Sequence, residues 1–284
     1  DGSPGSRLAA QHAAETAQRS ATPLILIHGY LHPFRYGVPI DPYAIQLPPP
    51  SMEADQMLNE MADELRDTWP HLNIETRQVA GGPAATLIEE SRRAQLLVVG
   101  SRGLGGFAGL LLGSVSSQVA AHAHCPVLVV RPPEHPTAAA GPVVVGVDGS
   151  AGSAPALAFA ADEAAARGYP LLIVHVWSVA PFEELRPTYP EVQAAARDTA
   201  EALLVDTVTE SRQRHPELVV TERLVEALDP ETVLIDASAD ASLVVVGARG
   251  RGGFAGLLLG SVSQALVRHA RCPVVIAHPR GHRA

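Results

Sequence analysis

The stretch G-S-R-G-L-G-G-F-A-G-L-L-L-G-S-V-S, Gly100–Ser116, occurs a second time as G-A-R-G-R-G-G-F-A-G-L-L-L-G-S-V-S, Gly247–Ser263. An apolar run precedes each copy, Leu96–Val99 and Leu243–Val246, and each run predicts a buried β-strand. Each copy ends in Gly-Ser at the start of a helical pattern. A strand, a glycine-rich loop and a helix N-terminus in this order predict a phosphate site, because the N-terminus offers free N–H groups and a positive dipole end.

The two copies are part of a repeat that runs through the whole chain. The offset of 147 residues from Gly100 to Gly247 also relates the D-G-S of residues 1–3 to the D-G-S of residues 148–150. A constant offset indicates a duplicated domain rather than a solenoid of many short repeats. The predicted segments are a first domain at 1–133, a proline-rich linker at 134–141 and a second domain at 142–284.

In the second domain, short apolar runs alternate strictly with helical patterns. This alternation predicts an α/β fold, in which right-handed crossovers build a parallel sheet with helices on both faces. The predicted strands are 142–147, 171–176, 218–225, 242–246 and 273–277. The predicted helices run from Ser150 or Ser153 to about Arg167, and then over 191–214, 230–239 and 261–270.

The first domain departs from this pattern in two places. The sequence begins at Asp1, which matches Asp148, so the counterpart of strand 142–147 is absent. Because that strand belongs in the centre of the sheet, we expect that a short N-terminal segment has been lost. The second departure is the proline-rich loop 29–51, for which our hypothesis is a lid or a partner-contact loop and the alternative is a passive surface excursion.

The composition narrows the class of protein. The chain has 284 residues, of which 46% are hydrophobic and 18% charged, so it is globular rather than disordered. A net charge of −9 argues against a general nucleic-acid binder, which needs Lys and Arg to neutralise phosphates. No apolar run approaches the ~20 residues that span a bilayer. The two cysteines, which we predict to be free thiols, fit a cytoplasmic protein.

The sequence offers little for catalysis. It contains neither a G-x-S-x-G elbow nor a G-x-x-x-x-G-K-[ST] loop. Lysine is missing altogether, so all 21 basic residues are arginine and no lysine can assist phosphoryl transfer or form a Schiff base. These features predict binding without catalysis.

The glycine loop has the spacing G-x-x-G, nine residues, then G-S. Gly100 and Gly103 can adopt positive φ and let the backbone approach a ligand closely. The hydroxyls of Ser114 and Ser116 add donors at the helix start, and Arg102 either reaches a phosphate or points to water. Gly247, Gly250, Arg249, Ser261 and Ser263 repeat the arrangement in the second domain.

The turn after the first strand is expected at the same crevice, because ligands of open parallel sheets bind beyond the carboxyl ends of the strands. Asp148 in this turn could accept a hydrogen bond from a ribose hydroxyl, and backbone groups near Val176 could read an adenine edge. His28 and His175 end the second strand of each domain, where each either borders a nucleotide or satisfies a strand end.

Several motifs together resemble those of tandem universal stress proteins, a type common in actinobacteria. The resemblance rests on V-G-V-D-G-S-x-x-S at 145–153, D-G-S-x-x-S at 1–6, the motif G-x2-G-x9-G-[ST] in both loops, and C-P-V at 125–127 and 272–274. It implies two open five-stranded sheets of order 3-2-1-4-5 and one ATP per domain, with Mg²⁺. It also implies a homodimer or domain pairing through the last strand.

The loop chemistry and the resemblance together give the candidate nucleotide-binding residues. In the first domain they are Asp1, Gly29, Gly100, Ser101, Arg102, Gly103, Leu104, Gly105, Gly106, Gly113, Ser114, Val115 and Ser116. In the second domain they are Gly146, Val147, Asp148, Val176, Gly247, Ala248, Arg249, Gly250, Arg251, Gly252, Gly253, Gly260, Ser261, Val262 and Ser263.

The function expected from these features is that of a cytosolic ATP-binding regulator or sensor in stress response. Bound ATP would order the glycine loops and change a dimer or partner surface. One alternative is slow ATP hydrolysis or nucleotidyl transfer in the same crevice. Another is a dimerisation scaffold that binds AMP, cyclic AMP or no nucleotide.

Two further clusters have simpler interpretations. The run H-A-H-C at 122–125 invites a zinc site, but its second copy has Arg271 in place of His124, and helix packing before a strand explains both cysteines. The apolar stripe from Met52 to Trp69 predicts a helix face in a core or dimer contact rather than a cofactor site.

Overall fold

The computed structural model describes residues 1–30, 51–104, 112–132, 141–178, 190–251 and 259–278. The chain divides into two compact units, Asp1–Pro132 and Pro133–Ala284. Of the predicted linker, only Gly141 lies within the described residues, and most of the loop predicted at 29–51 lies outside them.

The first unit alternates helices and strands in the predicted manner. Its helices are α1 (Pro4–Ser20), α2 (Met52–Thr68), α3 (Pro83–Glu90) and α4 (Ser114–His122), and its strands are β1 (Leu24–Tyr30), β2 (Ile74–Ala80), β3 (Leu97–Gly100) and β4 (Val127–Val130). α1 begins where the Ser3 hydroxyl accepts from the Ser6 N–H at 3.2 Å, and Pro4 fits the first turn because its missing N–H needs no partner there.

The strands of the first unit form two parallel pairs, β1 with β2 and β3 with β4. Among the described residues of this unit, no strand lies between β1 and β3. The core lies between α1, α2 and the β1–β2 pair and includes Ala14, Leu26 and Leu58. The predicted apolar stripe of α2 supplies part of this core, and packing inside the unit therefore explains it. Met52 is the exception, because its residue surface is 87% exposed.

The second unit contains all of its predicted strands and helices. The strands are β5 (Val143–Val147), β6 (Leu171–Trp177), β7 (Val220–Glu226), β8 (Leu243–Gly247) and β9 (Val274–Ala277), and the helices are α5 (Ser153–Arg167), α6 (Pro190–Arg214), α7 (Pro230–Ala237) and α8 (Ser261–His269). α5 ends at Gly168, whose φ of 69° is the left-handed cap that glycine favours.

The sheet of the second unit is parallel throughout. β5 pairs with β6 on one side and β8 on the other, β6 continues to β7, and β8 continues to β9. Numbered along the chain, the order from edge to edge is 3-2-1-4-5, which the resemblance implied. Val143, Val144 and Val145 in the central strand are fully buried, as expected for a parallel sheet covered on both faces.

The strand order fixes where the crevice lies. β5 and β8 are neighbours, and the chain winds away from them in opposite directions, towards β7 on one side and β9 on the other. This reversal is the topological switch point, so the loops that follow β5 and β8 border a crevice at the carboxyl edge of the sheet.

The two cysteines lie in the short connection between the last helix and the last strand of each unit. Cys125 and Cys272 are free and buried, which confirms the prediction of free thiols. Burial raises the pKa of the Cys272 thiol to about 12, so the thiolate is scarce at any physiological pH.

Both thiols are therefore expected to react with Ellman's reagent only when the chain unfolds. At pH 8 the native protein should show almost no reaction over several minutes, because the reagent needs an accessible thiolate. In guanidinium chloride the same assay should count both thiols. Rapid labelling of either cysteine in the native protein would contradict the packing described above.

Candidate functional site

Asp148 is the centre of the crevice in the second unit, since its carboxylate joins the turn after β5 to the loop after β8. Oδ1 accepts from the Ser153 hydroxyl at 2.6 Å and from the Ser150 N–H at 2.9 Å. Oδ2 accepts from the N–H of Arg251 at 2.8 Å. The N–H of Asp148 donates in turn to the Ser153 hydroxyl at 3.0 Å. Two segments that are far apart in the sequence are thus held together by one side chain.

These donors determine the charge state of Asp148. Partial burial acts to raise its pKa, but the hydrogen bonds from Ser150, Ser153 and Arg251 outweigh burial and lower the pKa below the usual value. The carboxylate is therefore ionised at neutral pH. A carboxylate can accept about four hydrogen bonds, and the described residues donate three to Asp148, so Oδ2 keeps capacity for one more donor.

The first unit repeats this arrangement around Asp1. Oδ1 accepts from the N–H of Ser3 at 3.2 Å and from its hydroxyl at 2.7 Å, and Oδ2 accepts from the N–H of Leu104 at 3.1 Å. The hydroxyl donor differs, since Ser6, the counterpart of Ser153, here donates to the Ser3 carbonyl oxygen. Both units therefore tie the D-G-S turn to the glycine loop through an aspartate.

The loop glycines are required for a reason that the sequence did not predict. Gly100 and Gly103, and their repeats Gly247 and Gly250, do not adopt the positive φ that the sequence allowed them. Among the described residues, the glycines with positive φ are Gly2 and Gly149 of the D-G-S turns, Gly81 and Gly168. Gly149, for example, has a φ of 71°. The second loop instead packs tightly against the turn after β5.

A β-carbon added to these glycines would collide with their own unit. At Gly247 it would lie 2.6 Å from the carbonyl oxygen of Gly152, and at Gly250 it would meet the carboxylate of Asp148. In the first unit, a β-carbon at Gly100 would lie 2.7 Å from the carbonyl oxygen of Gly5, and Gly103 faces Asp1 in the same way. The loop glycines thus allow close packing against the protein itself rather than against a ligand. This packing fixes the loop beside the crevice.

The helices that follow the loops begin without a side-chain cap. Gly113 and Gly260 are the N-cap residues of α4 and α8, and within the described residues no side chain accepts from the first N–H groups of these helices. Uncapped N–H groups at a positive helix end suit an anion. The exposed residues Ser114 and Ser261 begin these helices, and their side chains face solvent.

The second serine of each helix has a different role from the one expected. Ser263 donates its hydroxyl to the Gly247 carbonyl oxygen at 2.7 Å, and Ser116 donates to that of Ser101 at 2.9 Å. Both serines are buried. Each hydroxyl donates its one proton to a backbone carbonyl oxygen of the loop, so neither serine can donate a hydrogen bond to a ligand.

His175 closes the far side of the crevice by linking two strand ends. Its Nδ1 lies 2.7 Å from the Val147 carbonyl oxygen, which can only accept, so Nδ1 carries the proton. Burial lowers the pKa of His175, and the charge of Arg251 lowers it further, against the raising effects of the hydrogen bond to Val147 and of Asp148. The neutral imidazole thus satisfies a strand end, which is one of the two interpretations left open by the sequence.

Replacing His175 with glutamine is expected to make stability less dependent on pH. Because its pKa in the folded chain lies below the ordinary 6.5, the unfolded chain binds more protons as the pH falls, and stability falls with it. The contribution is fully present above pH 6.5 and is lost as the pH falls through 6.5 towards the folded pKa. Urea unfolding at pH 7.5, 6.5 and 5.5 should show a shallower slope for the variant.

The matched control for this experiment is His269→Gln, which removes an exposed histidine at the end of α8. The control should keep the slope of the unchanged protein. If His175→Gln also kept that slope, burial of a neutral imidazole would not be what makes the unit sensitive to acid.

The remaining predicted site residues have mixed placements. Gly105, Gly106, Gly252 and Gly253 lie outside the described residues. Gly29 and Gly146 lie within strands, where a β-carbon would be 2.9 Å from the α-carbon of Pro83 and 2.8 Å from Cδ1 of Leu234, so α3 and α7 explain these two glycines. Val176 lies at the carboxyl end of β6, as expected, and the side chains of Arg102 and Arg249 are exposed.

The described part of the chain shows neither a metal-ion cluster nor a transmembrane helix. It holds no group of three or more His, Cys, Asp or Glu side chains placed to bind a metal ion. None of its helices combines the length and the apolar character that a transmembrane span requires.

Comparison with known proteins identifies relatives along the whole chain. The profile of the universal stress protein family matches residues 1–131 and 140–278. A universal stress protein of Mycobacterium tuberculosis is 37% identical, over 98% of this chain and 94% of its own length. One from Mycolicibacterium smegmatis is 36% identical, over 99% of this chain and 95% of its own length.

Solved structures agree on the fold. A universal stress protein from Archaeoglobus fulgidus matches with a TM-score of 0.58 at 20% identity, covering 96% of this chain and 93% of that one. A putative universal stress protein from Pseudomonas aeruginosa matches with a TM-score of 0.63 at 17% identity, covering 95% and 87%. At these identities the likeness supports the α/β fold, and the ligand must be argued from the site.

Proposed function

Since this chain belongs to the universal stress protein family, we propose that it binds ATP once in each unit and acts as a cytosolic regulator of a stress response. The observation that carries the proposal is the aspartate bridge, Asp148 in one unit and Asp1 in the other, beside a helix N-terminus without a side-chain cap. An acceptor for a hydroxyl and a group of donors for an anion are the two halves of a nucleotide site.

In the second unit, each part of the nucleotide has a candidate partner. The first N–H groups of α8 and the Ser261 hydroxyl would hold phosphate oxygens, with a helix dipole that favours the anion. The free acceptor capacity of Asp148 suits a ribose hydroxyl, and the strand end at Val176 suits the adenine. The same roles fall on the first turn of α4 and on Asp1 in the first unit.

Magnesium fits this site only as an ion coordinated mainly by the phosphates of the nucleotide. Mg²⁺ keeps several water ligands and commonly uses substrate phosphates rather than an all-protein cage. Asp148 is a carboxylate in direct contact with the glycine loop, and three of its acceptor positions are already used. We therefore assign the ion to the nucleotide, with the chain contributing at most one oxygen.

The proposed role is regulation rather than catalysis. The sequence contains no lysine to stabilise a transferring phosphoryl group. Bound nucleotide would hold each glycine loop against its D-G-S turn and alter the surface offered to a second copy or to another partner. The two free cysteines suit the reducing cytosol.

Isothermal titration calorimetry of the full chain with ATP and Mg²⁺ tests the proposal. We expect two bound nucleotides per chain. Gly113→Glu should remove the first site and Gly260→Glu the second, because a carboxylate at the helix start repels phosphate, and each variant should bind one nucleotide. Folded protein that takes up no ATP would refute the proposal, and release of ADP during the titration would favour an ATPase instead.

A further inference from the structure

The two glycine loops differ at a single exposed position. Over Gly100–Ser116 and Gly247–Ser263 the only changes are Ser101 to Ala248 and Leu104 to Arg251. The first of these positions is buried in both units, whereas Leu104 is 73% exposed and Arg251 is also exposed.

The backbone N–H at this position makes the same hydrogen bond in both units. The N–H of Leu104 donates to Asp1 and that of Arg251 to Asp148, at 3.1 and 2.8 Å. The side chain can therefore change without moving the loop. Any difference between the sites that comes from this position belongs to the side chain alone.

The side chain of Arg251 reaches from the loop after β8 to the turn after β5. A β-carbon at Gly149 would lie 2.5 Å from its Nη2 atom and 3.2 Å from Cδ1 of Leu203 in α6, so the guanidinium packs directly on that turn. Its charge also acts on His175 at the end of β6. The guanidinium thus lies across the mouth of the crevice, on the side where β5 and β6 end.

The described part of the chain supplies no carboxylate partner for this guanidinium. Within the described residues no ion pair joins Arg251 to a carboxylate, and the Asp148 carboxylate is taken by backbone and hydroxyl donors. An arginine with five donors and no carboxylate partner, beside uncapped helix N–H groups, suits a polyphosphate. In the first unit, Leu104 offers neither charge nor donor.

We propose that Arg251 makes the second site selective for nucleotides with a polyphosphate chain, whereas Leu104 leaves the first site nearly indifferent to the number of phosphates. This inference rests on the proposed nucleotide binding and goes beyond it, because it makes the two sites unequal. The second site then reports on nucleoside triphosphate, and the first accepts mono- and triphosphates alike.

The test is an exchange of the two side chains. Calorimetry with ATP and with AMP is carried out on the second site in the Gly113→Glu background and on the first site in the Gly260→Glu background. Because a hydrogen bond to a charged group contributes substantially, Arg251→Leu should lower the ratio of ATP to AMP affinity at the second site by about tenfold. Leu104→Arg should raise that ratio at the first site by about the same factor.

Two controls separate selectivity from folding and from net charge. Arg251→Lys keeps the charge and should retain part of the preference for ATP. Arg271→Leu removes an exposed arginine at the amino end of β9, opposite the crevice, and should leave both ratios unchanged. The gain expected from Leu104→Arg cannot arise from misfolding.

The outcomes distinguish this inference from the proposal beneath it. If ATP binds both sites and neither exchange changes a ratio, Arg251 has no part in selectivity while nucleotide binding stands. If neither ATP nor AMP binds the folded protein, both ideas fail together. Changes in both ratios, in opposite directions, establish the inference.

Discussion

Replacing Asp148 with alanine is expected to abolish nucleotide binding in the second unit and to destabilise that unit by about 1–3 kcal/mol. The change removes the acceptor of the Ser150 and Arg251 N–H groups and of the Ser153 hydroxyl. Without this bridge the loop after β8 loses its attachment to the turn after β5, and the phosphate donors lose their fixed position.

Calorimetry in the Gly113→Glu background and urea unfolding of the full chain measure the two effects. Asp148→Asn should be nearly as harmful as Asp148→Ala, because either orientation of the amide sets its NH₂ group against the N–H of Ser150 or of Arg251. The matched control is Asp162→Asn on α5. It removes a carboxylate that pairs with Arg214 at 2.6 Å on the surface, where an ion pair is worth less than about 1 kcal/mol. Tight ATP binding by Asp148→Ala would show that the bridge is not part of the site.

Replacing Gly247 with alanine is expected to lower stability by about 1–3 kcal/mol, although only one methyl group is added. The new β-carbon would lie 2.6 Å from the carbonyl oxygen of Gly152, which is backbone and cannot rotate away. The start of α5 and the end of β8 would have to separate. This separation would also weaken nucleotide binding at the second site.

Thermal and urea unfolding give the stability change, and the first unit offers an independent repeat of the test. Gly100→Ala should behave alike, because its β-carbon would lie 2.7 Å from the carbonyl oxygen of Gly5. The control is Gly260→Ala, where the nearest heavy atoms would be 3.6 Å away and the loss should stay below about 1 kcal/mol. Equal stabilities for the Gly247 and Gly260 variants would mean that the contact with α5 is not tight.

The sequence was a good guide to the architecture of the second unit. Alternating apolar and helical patterns predicted its strands and helices, and Gly168 and Pro230 marked a helix end and a helix start through their fixed backbone preferences. The pairing of β5 with β8 follows from the resemblance rather than from any pattern, because neighbours across a parallel sheet leave no trace of their pairing in local sequence.

At the site, the sequence indicated which residues would meet but not how they would bond. It predicted that the D-G-S turn and the glycine loop share a crevice. It did not predict that Asp148 would accept three hydrogen bonds from the protein itself, or that Ser263 would donate to the loop. Such hydrogen bonds depend on differences of a few tenths of an ångström in the distance between atoms whose residues are far apart in the sequence. The spacing common to both repeats was the one available signal, since Asp1 and Asp148 stand at the same distance before the loop.

The burial of both cysteines limits how an oxidant can act on this protein. Oxidation by peroxide begins at an accessible thiolate, and the Cys272 thiol, with its pKa raised to about 12, offers almost none while the chain is folded. A redox signal therefore has no direct entry through these side chains. We expect oxidants to leave these two thiols unchanged as long as the chain stays folded.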